Sequence, residues 1–204
     1  MDKDHTMANI ITVARFPLLF IYLGILYYGN QTLMFWNVLL IFVIFNLDSL
    51  DGWVARKLNE TSLLGSVLDI ATDRTLEYVL WVAYAHMGLI PVLVPIIVII
   101  RGTSVDAVRS VRLKSGLSAF DQTQSSLSKF LVSSRFMRAF YGIAKGATAS
   151  FLTLSLALQS SSAPWPNFVY KTGMVFTWTS VCLCIIRGLP VLIEGIKEIQ
   201  SDPI

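Results

Sequence analysis

The sequence predicts an all-α integral membrane bundle of six transmembrane helices with both termini cytoplasmic, on three observations. The 204-residue chain is 54% hydrophobic and 14% charged, with a mean hydropathy of +0.64, too apolar for an ordinary soluble domain. Its apolar residues gather into six stretches long enough to supply the roughly 20 helical residues that each crossing needs. Its connections alternate between uncharged and basic, and the excess of Lys and Arg in cytoplasmic loops sets the orientation. Six crossings use most of the chain, so residues 1–204 read as a single membrane domain with no interdomain linker or internal repeat.

The apolar stretches run over about 8–28, 33–57, 62–87, 90–112, 136–159 and 167–195. No small-residue cleavage site follows the first, and Arg15 sits within it, so it reads as a retained span rather than a signal peptide. The first connection, Gly29-Asn30-Gln31-Thr32, is uncharged, whereas the second carries Arg56, Lys57 and Glu60. The third, His86 to Pro91, has no Lys or Arg, and the fourth includes Arg109, Arg112, Lys114, Lys129 and Arg135. The fifth, Gln159 to Asn167, is again uncharged, and Lys197 follows the sixth span. Tyr27, Tyr28, Trp36 and Trp165 lie near the uncharged ends, where an aromatic belt is expected. The polar stretch from Arg112 to Arg135 reads as a loop with a short amphipathic helix near 127–132. Cys182 and Cys184, spaced i, i+2, point apart on a helix and read as small apolar packers. A net charge of +3, with its cations gathered in loops, points to membrane lipids as surroundings and not to nucleic acid.

Charge inside the spans is the anomaly. Asp48, Asp51 and Arg56 fall at the cytoplasmic end of the second stretch, and Asp69, Asp73, Arg74 and Glu77 fall in the third. An Asp near the bilayer centre costs about 2.5–3.5 kcal/mol on the insertion scale, so these groups need partners or a wet cavity. Asp48 and Asp51 are i, i+3, and Asp69 and Asp73 are i, i+4, so each pair shares a helix face. A short turn around Asn59-Glu60-Thr61-Ser62 makes the two helices antiparallel neighbours and sets the acidic pairs against each other. Four such carboxylates repel unless cations intervene, and two divalent ions balance them. Oxygen donors without His or Cys favour Mg²⁺ or Mn²⁺ over zinc. Arg74 and Glu77 read as supporting hydrogen-bond or ion-pair partners.

The full pattern, Asp48-x2-Asp51-Gly52-x2-Ala55-Arg56-x8-Gly65-x3-Asp69-x3-Asp73, resembles the signature of the CDP-alcohol phosphotransferases at every fixed position. The resemblance implies that Asp48, Asp51 and Asp69 hold two divalent cations. It implies that Asp73 takes the acceptor hydroxyl's proton and also touches a metal. It further implies a CDP-lipid pocket lined by Gly52, Ala55, Arg56 and Gly65, with CDP-diacylglycerol as donor and CMP as leaving group. A homodimer, and an active site facing the cytoplasm of a cell inner membrane or an organelle membrane, are expected on the same ground. The small residues have a physical reading as well, since they let a nucleotide or a second helix approach the backbone.

The acceptor is less sharply drawn. Asn9-x2-Thr12-x2-Arg15 puts polar groups on the first helix at near-helical spacing and is similar to the phosphatidylglycerophosphate synthases, with snorkelling of Arg15 as the alternative. Arg101 lies mid-span, and with Arg109, Arg135, Arg138 and Lys145 it suits the phosphate of a small anionic alcohol. Against this, Ile70-Ala71-Thr72 before Asp73 and Arg74 after it are closer to inositol-using members. Glycerol 3-phosphate is therefore the first expectation, inositol or inositol phosphate the second, and phosphatidylglycerol, as in a cardiolipin synthase, stands behind them. An ion-coupled transporter is the rival from another class. It would need polar groups through to the far face, where only the Thr177, Thr179 and Ser180 cluster stands out, and it gives no reason for Gly52, Arg56 and Gly65.

Overall fold

The computed structural model describes residues 7–58, 63–114, 130–132, 134–159 and 165–201. These residues form six long helices: α1 (Met7–Tyr28), α2 (Gln31–Leu58), α3 (Leu63–His86), α4 (Leu93–Lys114), α5 (Arg135–Ala157) and α6 (Trp165–Ser201). Each coincides with one expected stretch. The largest departure is α6, whose 37 residues far exceed the roughly 20 of a single crossing. It runs on to Ser201 through the mixed segment Glu194 to Gln200, in which Glu, Lys and Gln are good helix formers although Gly195 is not. A helical turn at 130–132 coincides with the end of the expected amphipathic helix, whose remainder lies outside the described residues.

Local chemistry fixes the ends. Gly88 takes φ 71° after α3, a left-handed conformation that glycine adopts without penalty. There the amide of Leu89 donates to the carbonyl of Tyr84 and that of Gly88 to Ala85, both at 3.0 Å, so the closing carbonyls of α3 are satisfied in a Schellman turn. At the start of α5 the Ser134 hydroxyl accepts from the amide of Met137 at 3.1 Å, the N-cap that serine favours.

Among the described residues the principal packing partners are α1 with α2, α2 with α5, α5 with α6, α6 with α4, α4 with α3 and α3 with α1. These pairings close a ring. α1 packs on both α2 and α3; the side chains of Asp48 and Asp51 and the turn at 59–62, on which the expected pairing of α2 with α3 rests, lie outside the described residues. Ile44 and Phe45 of α2 meet Asp73 of α3 across a cleft.

The ring is apolar outside and buries polar and charged groups within a largely apolar core. Phe20, Phe42, Ile100, Ile143, Phe168 and Val175 are each at least 60% exposed, whereas Asn9, Thr12, Arg15, Glu77 and Thr177 are buried. By length and apolarity alone, two helical segments qualify to cross a membrane, Asn9–Tyr28 and Trp165–Lys197. The charges that α3 and α4 carry inward lower their mean apolarity. In the interior the Tyr22 hydroxyl lies 2.8 Å from that of Tyr84 and 2.6 Å from that of Thr153. Thr153 gives its proton to the carbonyl of Ala149 at 2.7 Å. Tyr22 must then donate to Thr153, and Tyr84 to Tyr22. This directed chain ties α1, α3 and α5 together. Tyr22→Phe breaks it and is expected to cost about 0.5–1.5 kcal/mol, read as a lower unfolding midpoint in detergent with unchanged helix content.

Candidate active site

The polar stripe of α1 faces inward. Arg15, at 2% exposure, does not snorkel; its guanidinium donates to Asp73 Oδ1 at 3.4 Å and lies 4.0 Å from Asp69 Oδ1. Asn9 and Thr12, six and three residues earlier, are buried on the same side. The i, i+4 spacing on α3 that suggested a shared face thus brings both carboxylates to one cation.

One turn further along α3 is Glu77, whose side chain is 3% exposed. Its Oε1 accepts from the Tyr141 hydroxyl at 2.6 Å and lies 3.4 Å from the Lys145 ammonium. Its Oε2 lies 3.3 Å from Arg74, which makes a two-pronged contact with Asp106 at 2.7 and 3.0 Å. Two cations and two carboxylates therefore close a neutral network joining α3 to α4 and α5, as a low-dielectric interior demands. Arg15, Asp73, Glu77 and Lys145 form the charged end of a narrow cleft between α1, α2, α3 and α5. The cleft has room for about one water, too little for a nucleotide.

Asp69 and Asp73 suit a divalent cation. Their oxygens are hard donors one turn apart, and their side chains stay 54% and 49% exposed. No third His, Cys, Asp or Glu joins them among the described residues. A full metal centre would therefore draw on Asp48 and Asp51, which lie on α2 with side chains outside the described residues. Gly52, Ala55 and Arg56 fall in the same undescribed set, while Gly65 is partly buried in the first turn of α3.

The basic residues are placed unevenly. Arg101 presses against α6, where a Cβ on Gly188 would lie 2.6 Å from its Nε. Its charge is felt at Glu77, Tyr141 and Arg187. Arg187, which the sequence reading passed over, donates to the carbonyls of Leu131 and Val132 at 3.2 and 3.3 Å and lies 5.4 Å from the Tyr141 ring centroid. The criterion that marked Arg101, an arginine within an apolar run, would have found it. Neither guanidinium has a carboxylate ion pair among the described residues. Arg109 is partly buried on α4, Arg138 is exposed on α5, and the Arg135 side chain lies outside the described residues.

The family model described as CDP-alcohol phosphatidyltransferase matches residues 5–186 of the chain. Two Arabidopsis thaliana proteins are similar over shorter segments. "Probable CDP-diacylglycerol--inositol 3-phosphatidyltransferase 2" is 49% identical over 47 residues, 23% of this chain and 20% of that protein. "CDP-diacylglycerol--inositol 3-phosphatidyltransferase 1" is 54% identical over 35 residues, 17% of this chain and 15% of that protein. The matched segments thus span a fifth or less of these relatives.

Glu77→Ala strands Lys145, while Arg74 keeps Asp106, and is expected to destabilise the bundle by about 3 kcal/mol. In a double-mutant cycle followed by thermal unfolding, Glu77→Ala with Lys145→Met is expected to be less damaging than the two single changes added together.

Proposed function

The chain belongs to the CDP-alcohol phosphatidyltransferase family, and from that premise we propose that it spans the membrane six times and transfers a phosphatidyl group from CDP-diacylglycerol to an inositol-type alcohol. Membership makes it an enzyme of phospholipid synthesis. The relatives named for inositol raise that acceptor above glycerol 3-phosphate. The observation that carries the site is the convergence of Asp69 and Asp73 on buried Arg15, in a bundle with an apolar outer face and charged interior. The alternation of basic and uncharged connections supports cytoplasmic termini and an active site on the cytoplasmic side. A homodimer belongs to the same reading.

In this reading the acceptor's hydroxyl oxygen attacks the lipid-side phosphorus while its proton passes to Asp73. The bond between that phosphorus and the CMP oxygen breaks. Arg15 braces the Asp69 and Asp73 carboxylates, so that the proton-accepting oxygen is positioned before substrate arrives. Asp48, Asp51, Asp69 and Asp73 would hold two divalent cations, Mg²⁺ or Mn²⁺, which supply charge stabilisation to the pyrophosphate when bound. Gly52, Ala55, Arg56 and Gly65 would line the cytidine diphosphate pocket.

The acceptor's far end meets Arg101, with Arg187 beside it. Two neighbouring guanidinium groups without a carboxylate partner suit an anion, which favours inositol phosphate over inositol. It also keeps glycerol 3-phosphate as the second reading.

The test is CMP release by detergent-purified protein supplied with CDP-diacylglycerol, a divalent cation and, in turn, inositol, inositol phosphate and glycerol 3-phosphate. Release with an inositol-type acceptor alone is expected; release with none, from folded protein, would refute the reading. Asp73→Asn is expected to lower kcat by 10²-fold or more, roughly the contribution of a positioned base, with CDP-lipid binding retained. Arg101→Ala, and Gly188→Ala by displacing Arg101, are expected to raise the acceptor KM more than the CDP-lipid KM. Equal effects on both would make Arg101 structural.

A further inference from the structure

We propose that the inner half of the cleft is a dry floor that keeps water from reaching the phosphorus under attack from within the bundle, so that this side of the site favours transfer to an alcohol over hydrolysis. The proposal rests on the transferase reading and adds a device that selects between two nucleophiles of similar chemistry. A base able to take a proton from an alcohol can take one from water, and water outnumbers any acceptor. Hydrolysis would consume CDP-diacylglycerol in a balanced reaction: the water oxygen attacks the lipid-side phosphorus, the bond to the CMP oxygen breaks, and phosphatidate and CMP leave. A transferase therefore has to limit where water can stand.

The floor begins one turn beyond Asp73. Ile44 and Phe45 of α2, Leu76 and Leu80 of α3, and Ala149 of α5 wall it, and Leu80 lies about 10 Å along the helix from Asp73. A water there would fit by size, since the cleft has room for about one, but it would need two to four polar partners to stay. The hydroxyl protons on the inner walls, and the Glu77 carboxylate, are already engaged. Tyr84 donates to Tyr22, whose proton goes to Thr153, and the Thr153 proton goes to the carbonyl of Ala149. Thr148 donates to the carbonyl of Ala144 at 2.9 Å. Glu77 is held by Tyr141, Lys145 and Arg74. The indole N–H of Trp81 does not by itself supply what a water requires. The hydroxyl chain thus serves the site as well as the fold: it closes the cleft's inner end with oxygens whose protons are spoken for.

The test compares CMP release and phosphatidate formation with and without acceptor, in wild type, Leu80→Asn and the volume-conserving control Leu80→Met. Ala149→Ser, a smaller change on a different helix, serves where Leu80→Asn fails to fold by size-exclusion chromatography and thermal unfolding. Wild type and Leu80→Met are expected to release CMP only with acceptor. The folded polar variant is expected to form phosphatidate without acceptor, with the ratio of hydrolysis to transfer raised about tenfold or more, as one barrier falls relative to the other. An unchanged ratio in a folded polar variant would overturn the dry floor while leaving the transferase reading intact. Wild-type hydrolysis as fast as its transfer would overturn it equally. Wild type that shows no acceptor-dependent release would remove the transferase reading, and the floor with it.

Discussion

Charge buried in an apolar bundle has to be paired, and most of this structure follows from how that pairing is done. An isolated ion in such surroundings costs several kcal/mol, while an opposite charge in good geometry offsets the cost. Arg15 with Asp73 joins α1 to α3, Arg74 with Asp106 joins α3 to α4, and Glu77 with Lys145 joins α3 to α5. Each pair is a cross-link with a fixed register, since sliding a helix by one residue would strand two charges. All three begin on α3. That helix also carries Asp69 and Asp73, so the pairing that holds the bundle together holds the candidate site in place.

The same constraint divides the interior into two kinds of polarity. At the candidate site the charges are opposed and partly open, as at Asp69 and Asp73. Where polar groups only join helices, they are closed on themselves, as in the Tyr84, Tyr22 and Thr153 chain. The cleft runs from the first kind to the second. Arg101 and Arg187 belong to neither: no carboxylate ion-pairs with them among the described residues, and on the proposed reading they receive the acceptor's anion.

The helices were legible because apolar length is a strong signal, and each one falls on an expected stretch. The end of α6 was not, because apolarity reports where a span would stop, whereas the helix continues through the mixed segment Glu194 to Gln200, where Glu, Lys and Gln favour it despite Gly195. The stripe of Asn9, Thr12 and Arg15 was legible as spacing, but whether Arg15 turned inward or outward depended on what α3 offered it. The pairing of helices could not be read. Periodicity tells which face is buried and not against which neighbour, so the ring order, with α1 packed on both α2 and α3, is read only from the structure. Glu77 looked like a minor partner because its role depends on Tyr141 and Lys145, more than sixty positions away in sequence. Arg187 was legible by the same sign as Arg101, an arginine within an apolar run, but was passed over.

The central claim is that the acidic pair beside Arg15 forms part of a divalent-metal centre completed by the aspartates of α2. Its most direct test is Mn²⁺ binding to the purified full chain, followed by electron paramagnetic resonance in detergent. The account predicts two bound ions in wild type, fewer in both Asp69→Asn and Asp51→Asn, and an unchanged count in Asp106→Asn, whose carboxylate is held by Arg74. Folded wild type that binds no Mn²⁺, or Asp69 and Asp51 variants that bind as wild type does, would contradict it.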